Sequence, residues 1–247
     1  MRTFQQTISK ECSISGIGLH TGKKSSLKFI PAKINHGIKF QRIDLEHKPI
    51  IKADVDNVID ISRGTTLSEN NGKVSTVEHL LAALVGLQID NVLIQIDGPE
   101  VPIMDGSSIE FIKCLEKCKL KDQDAVRNYL EIPESIFYKD EKNNVELAAY
   151  PLKDYRVTVM VDYNSEILGS QHHTLNQIED FKKEISECRT FCFLREVEEL
   201  FKNNLIKGGD LDNAIVIVDK MLDKNKLKEI SKMLGKKDIK LESEGIL

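Results

Sequence analysis

Long apolar runs are absent from this sequence of 247 residues. No stretch approaches the ~18 consecutive apolar residues of a membrane-spanning helix, and residues 1–6 lack the apolar core of a secretory signal. We therefore expect a cytoplasmic protein without an integral membrane segment. Excess positive charge is absent as well, because the formal net charge is −4 at pH 7. Nucleic acid is thus not an expected partner, although local lysines and arginines can still line a cleft for an anionic substrate.

Cysteine is scarce, and the number of cysteines is odd, because the chain contains five. An odd number scattered over a chain of cytosolic type argues against a disulfide framework, and we expect most of them to be buried thiols. Cys114 with Cys118 and Cys188 with Cys192 share a C-x3-C spacing, and four thiolates could form a closed zinc site. The first pair lies one turn apart on a predicted helix, however, so simple packing explains it better.

The composition is that of a globular protein, with 40% hydrophobic and 30% charged residues, and the length allows two cores of ordinary size. Apolar periodicity predicts an α+β fold of two similar domains, each a β-sheet layered against helices. We place an N-terminal α+β domain at 1–120, a polar linker at 121–128 and a C-terminal α+β domain at 129–247. The predicted strands lie at about 3–13, 25–29, 38–40, 50–52, 91–96, 129–138, 144–150, 155–163, 214–218 and 238–242, and the predicted helices at about 76–85, 107–119, 177–187, 194–205 and 223–235.

A carboxylate and an imidazole stand side by side at Glu78 and His79, in the first turn of an otherwise apolar helix. Both lie off the apolar stripe of that helix, and Gly86 follows as a stop. The pair suits a general base beside a metal ligand. Each residue also has a structural interpretation, because Ser75-x-x-Glu78 is a capping box and a single helical histidine is commonly a residue of the polar face. The stripe itself is formed by Val77, Leu80, Leu81 and Leu84.

Six motifs occur in the order and spacing of one enzyme family. They are GIGLHTG at 16–22, STVEHL at 75–80, DN at 90–91, PIMDGS at 102–107, RTF at 189–191 and GGDLDNA at 208–214. On these motifs the sequence resembles UDP-3-O-acyl-N-acetylglucosamine deacetylase, a zinc amidase of lipid A synthesis, over essentially its whole length. It is also similar to the form fused to a hydroxyacyl-carrier-protein dehydratase, and whether such a domain follows is left open.

The resemblance implies zinc-dependent hydrolysis of the N-acetyl amide of UDP-3-O-(3-hydroxyacyl)-N-acetylglucosamine. In this family a zinc ion lowers the pKa of a bound water and polarises the amide carbonyl. The resemblance assigns Glu78 as the general base, His79 as a zinc ligand and Thr190 as the hydroxyl that helps to hold the tetrahedral oxyanion.

The resemblance also implies a surface for this small-molecule substrate. A β-α-β insert at 194–218 would form an apolar passage for the acyl chain, although apolar residues of the insert could equally be ordinary core. An aromatic ring would meet the uracil, and a carboxylate would lie near the nucleotide. The expected substrate-binding residues are Leu19, His20, Asp162, Tyr163, Phe191, Glu196, Gly209 and Ala214.

The zinc site implied by the resemblance is incomplete in this sequence. The family carries a second histidine ligand and an aspartate ligand in a His-Lys-x-x-x-Asp motif, and no histidine here stands in such a motif. His172 and His173 are a poor replacement, because adjacent residues of a strand point to opposite faces. We expect a truncated deacetylase with an incomplete C-terminal domain, inactive alone. The alternatives are a catalytically inactive sugar-nucleotide- and acyl-binding paralogue or one half of a split enzyme, and acyl-chain preference and oligomeric state are left open.

Overall fold

The structure is a computed structural model that describes residues 2–197, 206–220, 223–233 and 245–246. The α-helices are α1 (Glu78–Gly86), α2 (Ile109–Lys117), α3 (Phe181–Glu184) and α4 (Lys224–Met233), 3₁₀ turns lie at Val55–Asn57 and Ile178–Asp180, and residues 194–197 are also helical. The strands are β1 (Phe4–Ile8), β2 (Cys12–Ile17), β3 (Lys24–Pro31), β4 (Ile38–Arg42), β5 (Ile50–Lys52), β6 (Val58–Asp60), β7 (Thr66–Glu69), β8 (Gly72–Val74), β9 (Val92–Ile96), β10 (Leu120–Val126), β11 (Ile136–Asp140), β12 (Val145–Ala149), β13 (Val157–Asp162), β14 (Ser170–Leu175), β15 (Phe191–Phe193), β16 (Ile215–Val218) and β17 (Gly245–Ile246). The predicted α+β class is confirmed.

A five-stranded sheet in the order β2-β3-β9-β4-β5 forms the base of the first half of the chain. Its strands pair antiparallel except for β4 and β9, which run parallel. In β9, Val92, Ile94 and Ile96 are fully buried because alternate residues of a strand face the same side of the sheet. Helices α1 and α2 add Leu84 and Phe111 to the same core. This packing fixes the start of α1, where Glu78 and His79 lie.

The predicted strand at 3–13 is two strands in the structure, and they belong to different sheets. A bend at residues 9 and 10 lies between β1 and β2. Strand β2 joins the five-stranded sheet, whereas β1 pairs antiparallel with β10. A separate small sheet in the order β6-β7-β8 was not predicted from the sequence.

The stretch 121–128, assigned to a linker, lies largely in strand β10. Its polar composition gave no strand signal, but the main chain of β1 supplies the hydrogen-bonding partner that makes it a strand. The division of the chain into domains stays a prediction. The first core includes Leu175, Ile178 and Phe181, which follow the assigned linker.

Gly86 is the last residue of α1 and contacts the second half of the chain. A Cβ atom added there would lie 2.8 Å from Cγ of Phe181, closer than real side chains approach. Phe181 is only 7% exposed, so its ring has little room to move. The glycine predicted as a stop for the helix therefore also provides the space for Phe181.

The expectation of free thiols is wrong for one pair of cysteines, because Cys12 and Cys118 form a disulfide. Strand β2 lies against α2, and this contact brings the two Cα atoms to 5.9 Å although 106 positions separate them in the sequence. Cys114, Cys188 and Cys192 are free cysteines.

The second half of the described chain consists of two hairpins and a small sheet. Strands β11 with β12 and β13 with β14 form the hairpins, and their residues are mostly exposed. Strands β15 and β16 run parallel with the helical residues 194–197 between them, which agrees with the predicted β-α-β insert. Most of the helix predicted at 194–205 and the strand predicted at 238–242 lie outside the described residues.

Buried residues of this insert and of α4 form a second, smaller core. It is formed by Leu194, Val197, Val216, Val218 and Ile230. In the part of the chain that the structure describes, no helix has the length and apolar character needed to cross a membrane.

Replacing Gly86 by alanine should lower the free energy of unfolding by about 1–2 kcal/mol, because overpacking against Phe181 outweighs the gain in helix propensity. Val85→Ala is the matched control, since Val85 is the neighbouring residue of α1 and is 46% exposed. Urea unfolding followed by circular dichroism measures both. An unfolding midpoint of Gly86→Ala equal to that of the unmodified chain would contradict the packing role.

Candidate active site

Glu78 begins α1, but it does not form the capping box that its spacing from Ser75 suggested. The helix N-cap is Val77, without a side-chain hydrogen bond. The hydroxyl of Ser75 donates to the carbonyl oxygen of Pro99, whereas Glu78 Oε2 accepts from the backbone N–H of Thr65 at 2.9 Å. The capping interpretation is therefore wrong. Thr76, with φ +57°, turns the chain between Ser75 and the helix, and the two side chains find different partners.

The carboxylate of Glu78 and the imidazole of His20 lie near the same short segment of main chain. Both approach the backbone at Gly64, where an added Cβ would be 3.0 Å from Glu78 Oε1 and 3.7 Å from His20 Nε2. The His20 Nε2 atom is also 3.0 Å from the carbonyl oxygen of Arg63. Two side chains distant in sequence thus meet over one short segment of main chain.

His79 is half-buried beside Glu78. Burial lowers the pKa of His79 below its usual 6.5, and the negative charges of Glu78 and Asp105 oppose this change only in part. The imidazole is therefore neutral at pH 7, which is the form that binds a metal ion. Within residues 2–197, 206–220, 223–233 and 245–246, no group of three or more His, Cys, Asp and Glu residues is placed to hold a metal.

Thr190 is fixed by its main chain at the start of β15. Its N–H donates to the carbonyl oxygen of Gly106 at 2.7 Å, and its carbonyl oxygen accepts from the N–H of Ile215 at 2.9 Å. The neighbouring Arg189 donates from Nε to the carbonyl oxygen of Asp105 at 2.6 Å. The carbonyl oxygens of Asp105 and Gly106 thus hold Arg189 and Thr190, and the negative charge of Asp105 acts on His79.

A cavity of about 110 Å³ opens beside Thr190. One water needs roughly 10–15 Å³ of such space, so the cavity can receive part of a ligand. Five of the expected substrate-binding residues line it together with Thr190, and these five are Leu19, His20, Phe191, Gly209 and Ala214. The same walls include residues that the sequence reasoning did not assign to the site, namely Arg63, Cys192 and Asp210. The only sequence signal for Arg63 is its position before Gly64.

Asp162, Tyr163 and Glu196 do not line this cavity. The Tyr163 ring packs edge-on against Phe191, with ring centroids 5.4 Å apart, so Tyr163 adjoins the cavity through Phe191. Asp162 is exposed and accepts from the N–H of Asn164 at 2.9 Å. Glu196 lies next to β15, with Oε2 3.5 Å from the N–H nitrogen of Phe193. Their substrate roles stay predictions.

Cys192 gives the cavity an uncharged wall. Burial, together with the nearby negative charge of Glu196, raises the pKa of the Cys192 thiol to about 11. The thiol is therefore protonated at neutral pH and packs as a small apolar group.

Two glycine-rich loops meet main chain to main chain at the cavity. The N–H of Gly208 donates to the carbonyl oxygen of Leu19 at 3.0 Å, and a Cβ on Gly208 would lie 3.0 Å from Cγ2 of Ile17 and overlap the carbonyl oxygen of Gly18. Asn213 closes its own loop by donating from Nδ2 to the carbonyl oxygen of Gly208 at 2.8 Å. The motifs at 16–22 and 208–214 thus form one contact in the fold.

Gly106→Ala should lower the free energy of unfolding by about 1–3 kcal/mol more than Gly169→Ala. Both glycines have left-handed backbones, with φ of +85° and +56°, so both alanines bear a conformational penalty. Only at Gly106 would the new Cβ meet main chain, 3.0 Å from the carbonyl carbon of Asn213, whereas Gly169 faces open space. Thermal unfolding of the two variants measures the difference, and equal melting temperatures would contradict the close packing beside Thr190.

The chain is similar in sequence to proteins of one enzyme family. A family model described as UDP-3-O-acyl N-acetylglycosamine deacetylase matches residues 5–233. The bifunctional enzyme LpxC/FabZ of Chlorobaculum tepidum is 47% identical over 95% of this chain and 50% of its own length, and that of Bacteroides thetaiotaomicron is 44% identical over 94% and 50%. The UDP-3-O-acyl-N-acetylglucosamine deacetylase of Shewanella denitrificans is 41% identical over 87% of this chain and 71% of its own length. The chain spans about half the length of the bifunctional relatives, and the expected resemblance to a fused form is confirmed.

Proposed function

Because the chain belongs to the UDP-3-O-acyl N-acetylglycosamine deacetylase family, we propose that the whole protein hydrolyses the N-acetyl amide of UDP-3-O-(3-hydroxyacyl)-N-acetylglucosamine in lipid A biosynthesis. The proposal includes a zinc ion as the metal and a cytoplasmic location. The observation that carries it is the placement of Glu78 and His79 at one helix start, together with a cavity that Thr190 lines beside the apolar residues Leu19, Phe191 and Ala214.

The described residues provide one donor suited to zinc and no complete set. His79 has the neutral imidazole that a zinc ion requires, and it would hold the metal in the whole protein. The metal would supply polarisation of the amide carbonyl and a lowered pKa of water. No cluster of three candidate ligands occurs among the described residues, so His79 alone does not complete the metal site.

The roles of the protein groups follow from their positions. The Thr65 N–H holds Glu78 Oε2, so that Glu78 can take a proton from an attacking water while its orientation stays fixed. The Thr190 hydroxyl would donate to the oxyanion that forms as the amide carbonyl is attacked. Leu19, Phe191 and Ala214 would receive the start of the acyl chain, which is the part of the substrate that an apolar wall can bind.

In the full-length protein, Glu78→Gln should lower kcat by about 10²-fold or more and leave the zinc content near normal, because only the proton acceptor is lost. His79→Ala should lower both, because it removes a donor to the metal. Glu134→Gln is the control, since Glu134 is an exposed carboxylate. Deacetylation assays and metal analysis separate the two roles, and near-normal turnover by Glu78→Gln would refute the assignment of the base.

Ala214→Phe should shift the preference toward shorter 3-O-acyl chains. The larger side chain fills part of the cavity, and one methylene in an apolar pocket changes binding by ~1–3 kcal/mol. The control is Ala148→Phe, which places the same side chain at an exposed position of β12. Values of kcat/KM over a series of acyl lengths measure the preference, and an unchanged series would remove Ala214 from the passage.

A further inference from the structure

Glu100 is a buried carboxylate that the proposed reaction does not use. It is 1% exposed and follows Gly98 and Pro99 in the loop after β9. No ion pair of Glu100 occurs among the described residues. A carboxylate removed from water without a cation is costly unless hydrogen-bond donors surround it. Its donors therefore indicate what it does.

Three donors from two separate segments converge on this carboxylate. The N–H of His20 donates to Oε1 at 2.9 Å, and the N–H of Thr21 donates to Oε2 at 2.8 Å. The hydroxyl of Thr76 donates to Oε1 at 3.0 Å. Glu100 thus ties the turn between β2 and β3 to the residues that precede α1.

Both segments lead directly to the candidate active site. The turn carries Leu19 and His20, which line the cavity, and the His20 ring lies near Gly64, as the Glu78 carboxylate does. Thr76 stands two positions before Glu78 with φ +57°, a left-handed conformation that a β-branched residue rarely adopts. Such conformations persist only where surrounding bonds hold them, and the bond to Glu100 is one that does so here.

Gly18 leaves the space that the carboxylate occupies. A Cβ atom at this position would overlap Glu100 Oε2 and would lie 2.7 Å from both Glu100 Cδ and the hydroxyl oxygen of Thr21. A side chain at residue 18 would therefore displace either the carboxylate or the turn. The glycine of the turn and the buried glutamate form one local arrangement.

We propose that Glu100 is a positioning residue for the amide hydrolysis. By accepting hydrogen bonds from His20, Thr21 and Thr76, it fixes the cavity wall relative to Glu78 and keeps Thr76 in the conformation that orients the start of α1. Glu100 accepts its hydrogen bonds from His20, Thr21, Ser25 and Thr76, and none of these is Glu78 or Thr65, so its effect on Glu78 passes through the main chain. The inference rests on the proposed function for its kinetic consequence, whereas its structural consequence is independent of activity.

The test is Glu100→Gln in the full-length protein. Glutamine has the same shape, but its NH2 group faces one of the N–H donors, so at least one of the three bonds is lost. The matched control is Ser25→Ala, which removes the 2.7 Å hydrogen bond from the Ser25 hydroxyl to the main-chain oxygen of Glu100 and leaves the carboxylate untouched. Both changes remove a buried hydrogen bond at the same residue.

The first readout is amide hydrogen exchange at Thr65, whose N–H donates to Glu78. Glu100→Gln should speed this exchange by about tenfold, the size expected for weakening one buried hydrogen bond, whereas Ser25→Ala should leave it unchanged. If Glu100 only stabilised its own loop, its replacement would not selectively change the exchange rate of the Thr65 amide. Unchanged protection of Thr65 in Glu100→Gln would overturn the proposal.

The second readout is the deacetylation rate measured well below the melting temperature. Glu100→Gln should lower kcat by about tenfold or more, because misplaced catalytic groups lower the rate steeply, while Ser25→Ala keeps kcat close to that of the unmodified protein. Adding Thr76→Gly to Glu100→Gln should restore part of the loss, since glycine adopts the left-handed conformation without strain. Equal kcat losses in Glu100→Gln and Ser25→Ala would also overturn the proposal.

An unmodified protein that fails to deacetylate would refute the proposed function, and the exchange at Thr65 would still decide the role of Glu100.

Discussion

The candidate active site depends on a contact made by main chain alone, the approach of Gly18 to Gly208. The hydrogen bond from the Gly208 N–H to the Leu19 carbonyl holds the first glycine-rich turn against the loop before β16. A side chain on Gly208 would push the two loops apart, because its Cβ would occupy the position of the Gly18 carbonyl. The cavity lies between parts of the chain that are nearly 200 residues apart, and its shape follows from how closely these two backbones meet.

The sequence predicts those features that depend on local pattern. The core residues Val92, Ile94 and Ile96 of β9 follow from alternation, and the start of α1 is predicted to within two residues. Strand β10 could not be predicted, because its polar residues become a strand only through pairing with β1. The partners of Glu78 and the bond between Cys12 and Cys118 were missed for the same reason, since each depends on a contact between distant segments.

For the site, motif resemblance located cavity-lining residues that lie inside the glycine-rich motifs at 16–22 and 208–214, such as Leu19 and Ala214. It did not indicate Arg63 or Glu100. Arg63 is exposed and Glu100 is buried, and neither shows a periodicity or spacing in the sequence that distinguishes it from other charged residues. Burial then determines the charge state within the site, because it favours the neutral forms of both His79 and Cys192. The carboxylates of Glu78 and Glu100, by contrast, accept hydrogen bonds from nearby donors.

The pairing of β1 with β10 places Phe4 opposite Val126, so that the two ends of the first half of the chain lie side by side. A polypeptide with adjacent ends can be cut elsewhere and rejoined at those ends without stretching any connection, which is the geometric condition for circular permutation and for insertion into another host protein. The first half of this chain therefore has the topology of a transferable module. Leu175, Ile178 and Phe181 of the second half pack into its core, so a module transferred without them would carry an uncovered apolar surface, part of it at Gly86.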